Sequence, residues 1–228
     1  MLRKKGENCF LSELKRTLSV QDLTSQPELP TIKQLVRLLE NNTCYSLQML
    51  IDQAFITKEN AYRLMNDIQN NKNILFIGAT GSGKTTLLRA LLSLQQEFAP
   101  DQKTVILEKF PEIKIDNEKI INNQVYQHVN SFSMEELNFL QESKDQSHLV
   151  IGEISTTNEA LALASGLNSG SRIIATMHTN CWKSRLLSFI QGRSKDMYKK
   201  TISQHSFVIV HLDSSSKRHV SAIWEDQI

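Results

Sequence analysis

From Asn73 onward the chain alternates between short unbroken apolar runs and stretches with an apolar residue every three or four positions. "NILFIG" (73–78), "TVILEKF" (104–110), "HLVIGEI" (148–154) and "RIIATMH" (172–178) read as strands buried on both faces. "KTTLLRALLSLQ" (84–95), "SMEELNFLQE" (133–142) and "TNEALALASGLNSG" (157–170) read as helices; the second opens on a capping box from Ser133 to Glu136, and the third closes at Gly170. Strands spaced by helices predict a mainly parallel sheet with crossover helices, an α/β fold. The pattern then changes. "HSFVIVHLD" and "HVSAIWE" flank the polar turn "SSSKR", which predicts an antiparallel hairpin at the C-terminal end.

Upstream, "TIKQLVRLLENN" places Ile32, Leu35, Val36 and Leu39 on one helical face, and "TKENAYRLMNDIQNN" does the same with Ala61, Leu64, Met65 and Ile68. Both read as amphipathic helices covering the core, the basic side of the first as a solvated face rather than a membrane surface. Residues 1–30 are polar and end in "TSQPELP", whose prolines mark a joint. Residues 1–45 are therefore expected to be a reduced N-terminal arm or docking element ahead of a main domain over 46–228.

Composition narrows the picture modestly. The 228 residues are 40% apolar, enough for a core, and 26 basic against 24 acidic residues leave a formal charge of +2. So balanced a charge gives no reason to expect specific nucleic-acid binding. Cys9, Cys44 and Cys181 are three, widely spaced and in no metal-binding pattern, so they read as reduced, mostly structural thiols of a cytosolic protein. No apolar run reaches the roughly 18 to 20 residues that span a bilayer, and the basic start lacks the apolar core of a secretory signal.

The chemistry concentrates at the ends of the predicted strands. Gly78, Ala79, Thr80, Gly81, Ser82, Gly83, Lys84 and Thr85 spell "GATGSGKT", the G-x-x-x-x-G-K-[ST] phosphate loop, after a strand and before a helix. Its glycines let successive N–H groups converge on phosphate oxygens at a helix N-terminus, with Thr86 in the first turn. Lys84 is positioned to reach the terminal phosphates and Thr85 to ligate magnesium, so ATP and Mg2+ are the expected cofactors. Ligands of such sheets lie beyond the carboxyl ends of the strands. There the sequence offers Glu108, Glu153 and His178 as catalytic candidates, with Glu153 also a candidate metal ligand.

These blocks, "NILFIGATGSGKTTLLRALL", "LEKFPEI", "LVIGEI", "NEALALASGLNSG", "ATMHTN", "ISQHSFVIVHL" and "HVSAIWE", together resemble the secretion ATPases of type II and type IV systems, in the branch of the VirB11, TrbB and CpaF proteins. The likeness runs from about Ser46 to Glu225. It implies a RecA-like P-loop core and a homo-hexameric ring at the cytoplasmic face of the inner membrane. There the ring would work with inner-membrane components, hydrolysing ATP to drive secretion, conjugative transfer or pilus assembly. It would make Glu108 the Asp-box carboxylate, Glu153 the Walker B glutamate and His178 the His-box residue.

The chain departs from that pattern in ways that bear on rate. Lys109 stands where the family has a second Asp-box acid, Ser155 where an arginine follows the Walker B glutamate, and no arginine lies between Arg89 and Arg172. Such arginines stabilise charge on the transferred phosphoryl group, and losing one costs about a thousandfold or more. Lys109, Lys114 and Lys119 can substitute as charges but lack the bidentate fork. An ATPase motor is the expectation, with a nucleotide-binding assembly or switch subunit of low turnover as the alternative.

Overall fold

The computed structural model describes residues 46–98, 104–108, 112–113, 124–128, 148–191 and 196–228. The expected arm over 1–45, the helix over 31–42, the capping box at Ser133, the thiols Cys9 and Cys44, and Lys109, Lys114 and Lys119 lie outside them.

Every strand read from an unbroken apolar run forms. In chain order the elements are α1 (Leu47–Asp52), α2 (Lys58–Gln69), β1 (Ile74–Gly78), α3 (Lys84–Phe98), β2 (Thr104–Glu108), β3 (Gln124–His128), β4 (His148–Ile151), α4 (Thr157–Asn168), β5 (Arg172–Met177), α5 (Trp182–Phe189), α6 (Asp196–Ser203), β6 (Ser206–Asp213) and β7 (His219–Gln227). The strands make one sheet ordered β3-β2-β4-β5-β1-β6-β7. All neighbours run parallel except β6 and β7, which pair as the expected antiparallel hairpin, with an irregularity in register between His211 and Leu212.

β1, β2 and β4 are buried along their whole length, as strands covered on both faces must be. On one face Leu75, Ile77, Leu107, Leu149, Ile151, Ile173 and Ala175 join Leu163 and Leu167 of α4 in a single apolar cluster. The alternate positions Ile74, Phe76, Ile106, Val150 and Ile174 are equally buried; on that side α3 packs on β1 and β5, with α1 and α2 against α3. The stripe read on α2 is buried throughout, and Thr57 caps it by accepting the Asn60 N–H at 3.2 Å. Gly170, at φ +83°, follows α4 and ends it as read.

The sheet order brings the carboxyl ends of β1, β2, β4, β5 and β6 to one edge. At the opposite edge His148 starts β4, paired across to Arg172. Burial and that neighbouring charge push its imidazole down to about 4, so it sits in the core as a neutral ring. Among the described residues Cys181 is exposed and is no part of the core, contrary to the structural role read for the cysteines: it lies in the polar loop between β5 and α5. No helix among the described residues is long and apolar enough to cross a membrane.

Candidate functional site

The loop between β1 and α3 is built by its glycines. Gly78, Gly81 and Gly83 take φ of +144°, +75° and +97°, backbone that L side chains rarely adopt. Gly78 has a second requirement: a β-carbon there would run into the backbone carbonyl of Leu212, at the end of β6. The Ser82 N–H bonds back to the Ala79 carbonyl at 3.2 Å, closing the curl, and the Leu87 N–H to the Gly83 carbonyl at 3.0 Å begins the helical ladder. Lys84, Thr85 and Thr86 thus occupy the first turn of α3, where backbone N–H groups have no acceptor within the helix. Thr80 and Ala79 are exposed at the tip, while Ser82 is buried and its hydroxyl finds no partner among the described residues.

Lys84 is buried, and its ammonium donates to the Gly78 and Ala79 carbonyls at 3.0 and 2.8 Å. Burial holds it below the usual lysine range, and the Glu153 carboxylate opposes that shift in part. Among the described residues it joins no ion pair. A cation sequestered against backbone carbonyls, beneath the positive end of a helix, is a cradle that an anion completes. The residues present therefore fit a polyphosphate, and the Thr85 hydroxyl with the Glu153 carboxylate supplies the hard oxygen donors that suit magnesium.

The remaining candidates are brought to the same edge. Glu153 is exposed two residues beyond β4. The segment carrying it is pinned on both sides: the Gly152 N–H donates to the Leu107 carbonyl at 2.9 Å, and the Ile154 N–H to the Thr176 carbonyl at 2.8 Å. Glu108 ends β2 and is buried, its two carboxylate oxygens each 3.1 Å from the Ile113 N–H, with its methylene packed against Gly152. Its carboxylate is thus engaged in holding its own loop. His178, exposed past β5, has the Thr80 hydroxyl 3.3 Å from each ring nitrogen, so the tip of the phosphate loop rests on the imidazole.

Two contributors were not evident from sequence. Thr176, buried in β5, donates its hydroxyl to the Gly152 carbonyl at 2.5 Å and so latches the Glu153 segment onto the strand that leads to His178. A hydroxyl inside an apolar strand was its signal. Asn180 faces His211 of β6, Oδ1 to Nε2 at 3.3 Å, and His211 Nδ1 in turn meets the Ser221 hydroxyl at 2.5 Å, which ties the loop after His178 to the terminal hairpin. The isosteric Thr176→Val removes the latch and leaves a carbonyl short of a donor; it is expected to cost about 1–3 kcal/mol, read from urea unfolding.

Comparison with known proteins follows the same outline. A family model described as "Type II/IV secretion system protein" matches residues 23–203. A conjugal transfer protein TrbB of Rhizobium radiobacter is 28% identical over 173 residues, which cover 73% of this chain and 52% of that protein. A type IV secretion system protein VirB11 of Bartonella henselae is 32% identical over 106 residues, 44% of this chain and 29% of the relative. Among solved structures, the VirB11 ATPase from the Brucella suis type IV secretion system, in complex with sulphate, aligns with a TM-score of 0.56 at 21% identity, covering 94% of this chain and 61% of that one. The Legionella pneumophila ATPase DotB gives 0.53 at 20%, covering 72% and 47%. At that identity the two structures speak to the fold alone. The chain spans about half the length of the TrbB relative.

Proposed function

The chain belongs to the type II/IV secretion system protein family, and from that premise we propose that it is an ATP-binding and ATP-hydrolysing motor subunit of a type IV secretion, conjugative transfer or pilus assembly apparatus. One observation carries this reading: a buried ammonium, Lys84, bonded to two backbone carbonyls inside a left-handed glycine loop at the head of α3. Bound there with magnesium, ATP would supply the phosphoanhydride bond whose hydrolysis releases the free energy for transport. The chain's own groups divide the work. Residues 78–86 would bind and neutralise phosphate through N–H groups and Lys84; Thr85 and Glu153 would hold the metal. Glu153 also takes the proton of the attacking water, and His178, resting on Thr80, links the phosphate loop to β5.

In keeping with this family, the subunit is proposed to work as a homo-hexamer, cytoplasmic and peripheral to the inner membrane, with membrane components of the apparatus as partners. Residues 1–45 are proposed to dock it. A second reading, a nucleotide-binding switch with little turnover, draws on Glu108, whose carboxylate is engaged with the Ile113 N–H, and on Ser155 in place of an arginine.

Phosphate release from ATP at several protein concentrations separates the two. The motor reading expects magnesium-dependent turnover whose specific activity rises with concentration, because neighbouring subunits complete each site. ATP binding without any turnover, up to concentrations at which the protein self-associates, would favour the switch.

A further inference from the structure

Gly83, the last glycine of the phosphate loop, packs against the ring of Phe55, a residue in the turn between α1 and α2. A β-carbon on Gly83 would stand 2.7 Å from both Cε2 and Cζ of that ring, so the aromatic edge lies flush against the glycine. Such contact sets where the Gly83 backbone can go, because a ring in van der Waals contact resists displacement steeply.

The ring cannot readily withdraw. Phe55 is buried, and both polar groups of its backbone are tied: its N–H donates to the Leu50 carbonyl of α1 at 2.9 Å, and its carbonyl accepts from the Val220 N–H of β7 at 2.7 Å. The preceding Ala54 takes φ +54°, an uncommon conformation for a residue with a side chain. It persists where surrounding bonds over-determine it, here with the Ala54 N–H on the Ile51 carbonyl at 2.9 Å. The hairpin touches the other end of the loop as well, through the Leu212 carbonyl against Gly78. The phosphate loop is thus bracketed at its first and last glycines by elements distant in sequence.

We infer that Phe55 is a positioning residue for the phosphate loop, a wedge through which α1 and the β6–β7 hairpin fix the Gly83–Lys84 backbone and so set nucleotide affinity. The inference rests on the proposed nucleotide site for its functional consequence, but the wedge itself does not. A displacement of α1 or of the hairpin edge would move Phe55 and loosen the loop, which makes the turn a route by which contacts elsewhere tune ATP binding.

Phe55→Leu keeps an apolar side chain and removes the ring edge. Ile68→Val, a buried trim on α2 away from the loop, serves as the control for lost packing. Two readouts are taken on the full-length protein. In nucleotide-free hydrogen exchange, the peptide spanning 78–86 is expected to exchange faster in Phe55→Leu and unchanged in Ile68→Val. In titration with a fluorescent ATP analogue, Phe55→Leu is expected to weaken binding by about tenfold, and Ile68→Val by less than about twofold. Unchanged exchange over 78–86 in Phe55→Leu would overturn the wedge. Faster exchange with unchanged ATP affinity would overturn its role in binding. Wild-type protein that binds no nucleotide would instead remove the proposed function, leaving the exchange result to decide the wedge.

Discussion

Replacing Lys84 with alanine is expected to lower ATP affinity by about a hundredfold or more while leaving the nucleotide-free protein as stable as wild type, or more so. The two halves of that expectation come from one piece of geometry. The ammonium is buried and held by the Gly78 and Ala79 carbonyls, without a carboxylate at ion-pair distance among the described residues. Its pKa is lowered chiefly by desolvation, so in the free protein the charged form is a net cost. That cost is present at neutral pH and relieved only as pH rises through the folded-state pKa, since between the folded and unfolded values the unfolded chain binds more protons and stability rises with pH. Alanine removes the cost together with the charge that a phosphate would meet. Thermal melts distinguish the halves. At ATP concentrations about a hundred times the wild-type dissociation constant, wild type should gain about 2.7 kcal/mol of stability, and Lys84→Ala about 0.4 kcal/mol or less. A variant that melts far below wild type without nucleotide would show that Lys84 is a structural residue, and the anion cradle would lose its main support.

β1, β4 and β5 were legible because strands buried on both faces are apolar at nearly every position, as "ILFIG" (74–78) shows. β3, "QVYQH", carries no such signal: it lies at the end of the sheet order among the described residues, where the constraint relaxes and a mixed polar run suffices. The short helices α1, α5 and α6, of six to eight residues each, are too brief to display a helical period. The phosphate loop was legible because its geometry is local, eight consecutive residues imposing their own curl. The contacts that join the loop to its surroundings are not local. Thr80 meets His178 across 98 residues, and Thr176 reaches Gly152 across 24. Nothing in either segment alone encodes the meeting; the order of strands in the sheet does. The same holds for Glu108, whose position at a strand end was readable but whose bonds to the Ile113 N–H were not.

Glu153→Gln is expected to leave ATP affinity within a factor of about three and to cut turnover by a factor of about 100 to 10,000, the range over which a positioned general base contributes. The substitution keeps the size and shape of the side chain, and the segment bearing it is held by backbone and neighbouring groups: Gly152 N–H to Leu107, Ile154 N–H to Thr176, and the Thr176 hydroxyl to the Gly152 carbonyl. None of those bonds involves the Glu153 carboxylate, so the fold has no reason to respond. What changes is charge. Glutamine accepts no proton from water, binds magnesium less well than a carboxylate, and withdraws the negative charge that raises the pKa of Lys84. The last effect gives the experiment an internal check, because the Lys84 pKa should then fall further below the usual lysine range. Single-turnover hydrolysis measured beside equilibrium binding of a fluorescent ATP analogue separates the possibilities. Slow chemistry with intact binding assigns Glu153 to the reaction. Equal loss of both would mean that the carboxylate serves mainly to hold metal and nucleotide, and the base would have to be sought elsewhere at the same strand edge, beginning with the Glu108 carboxylate freed from Ile113.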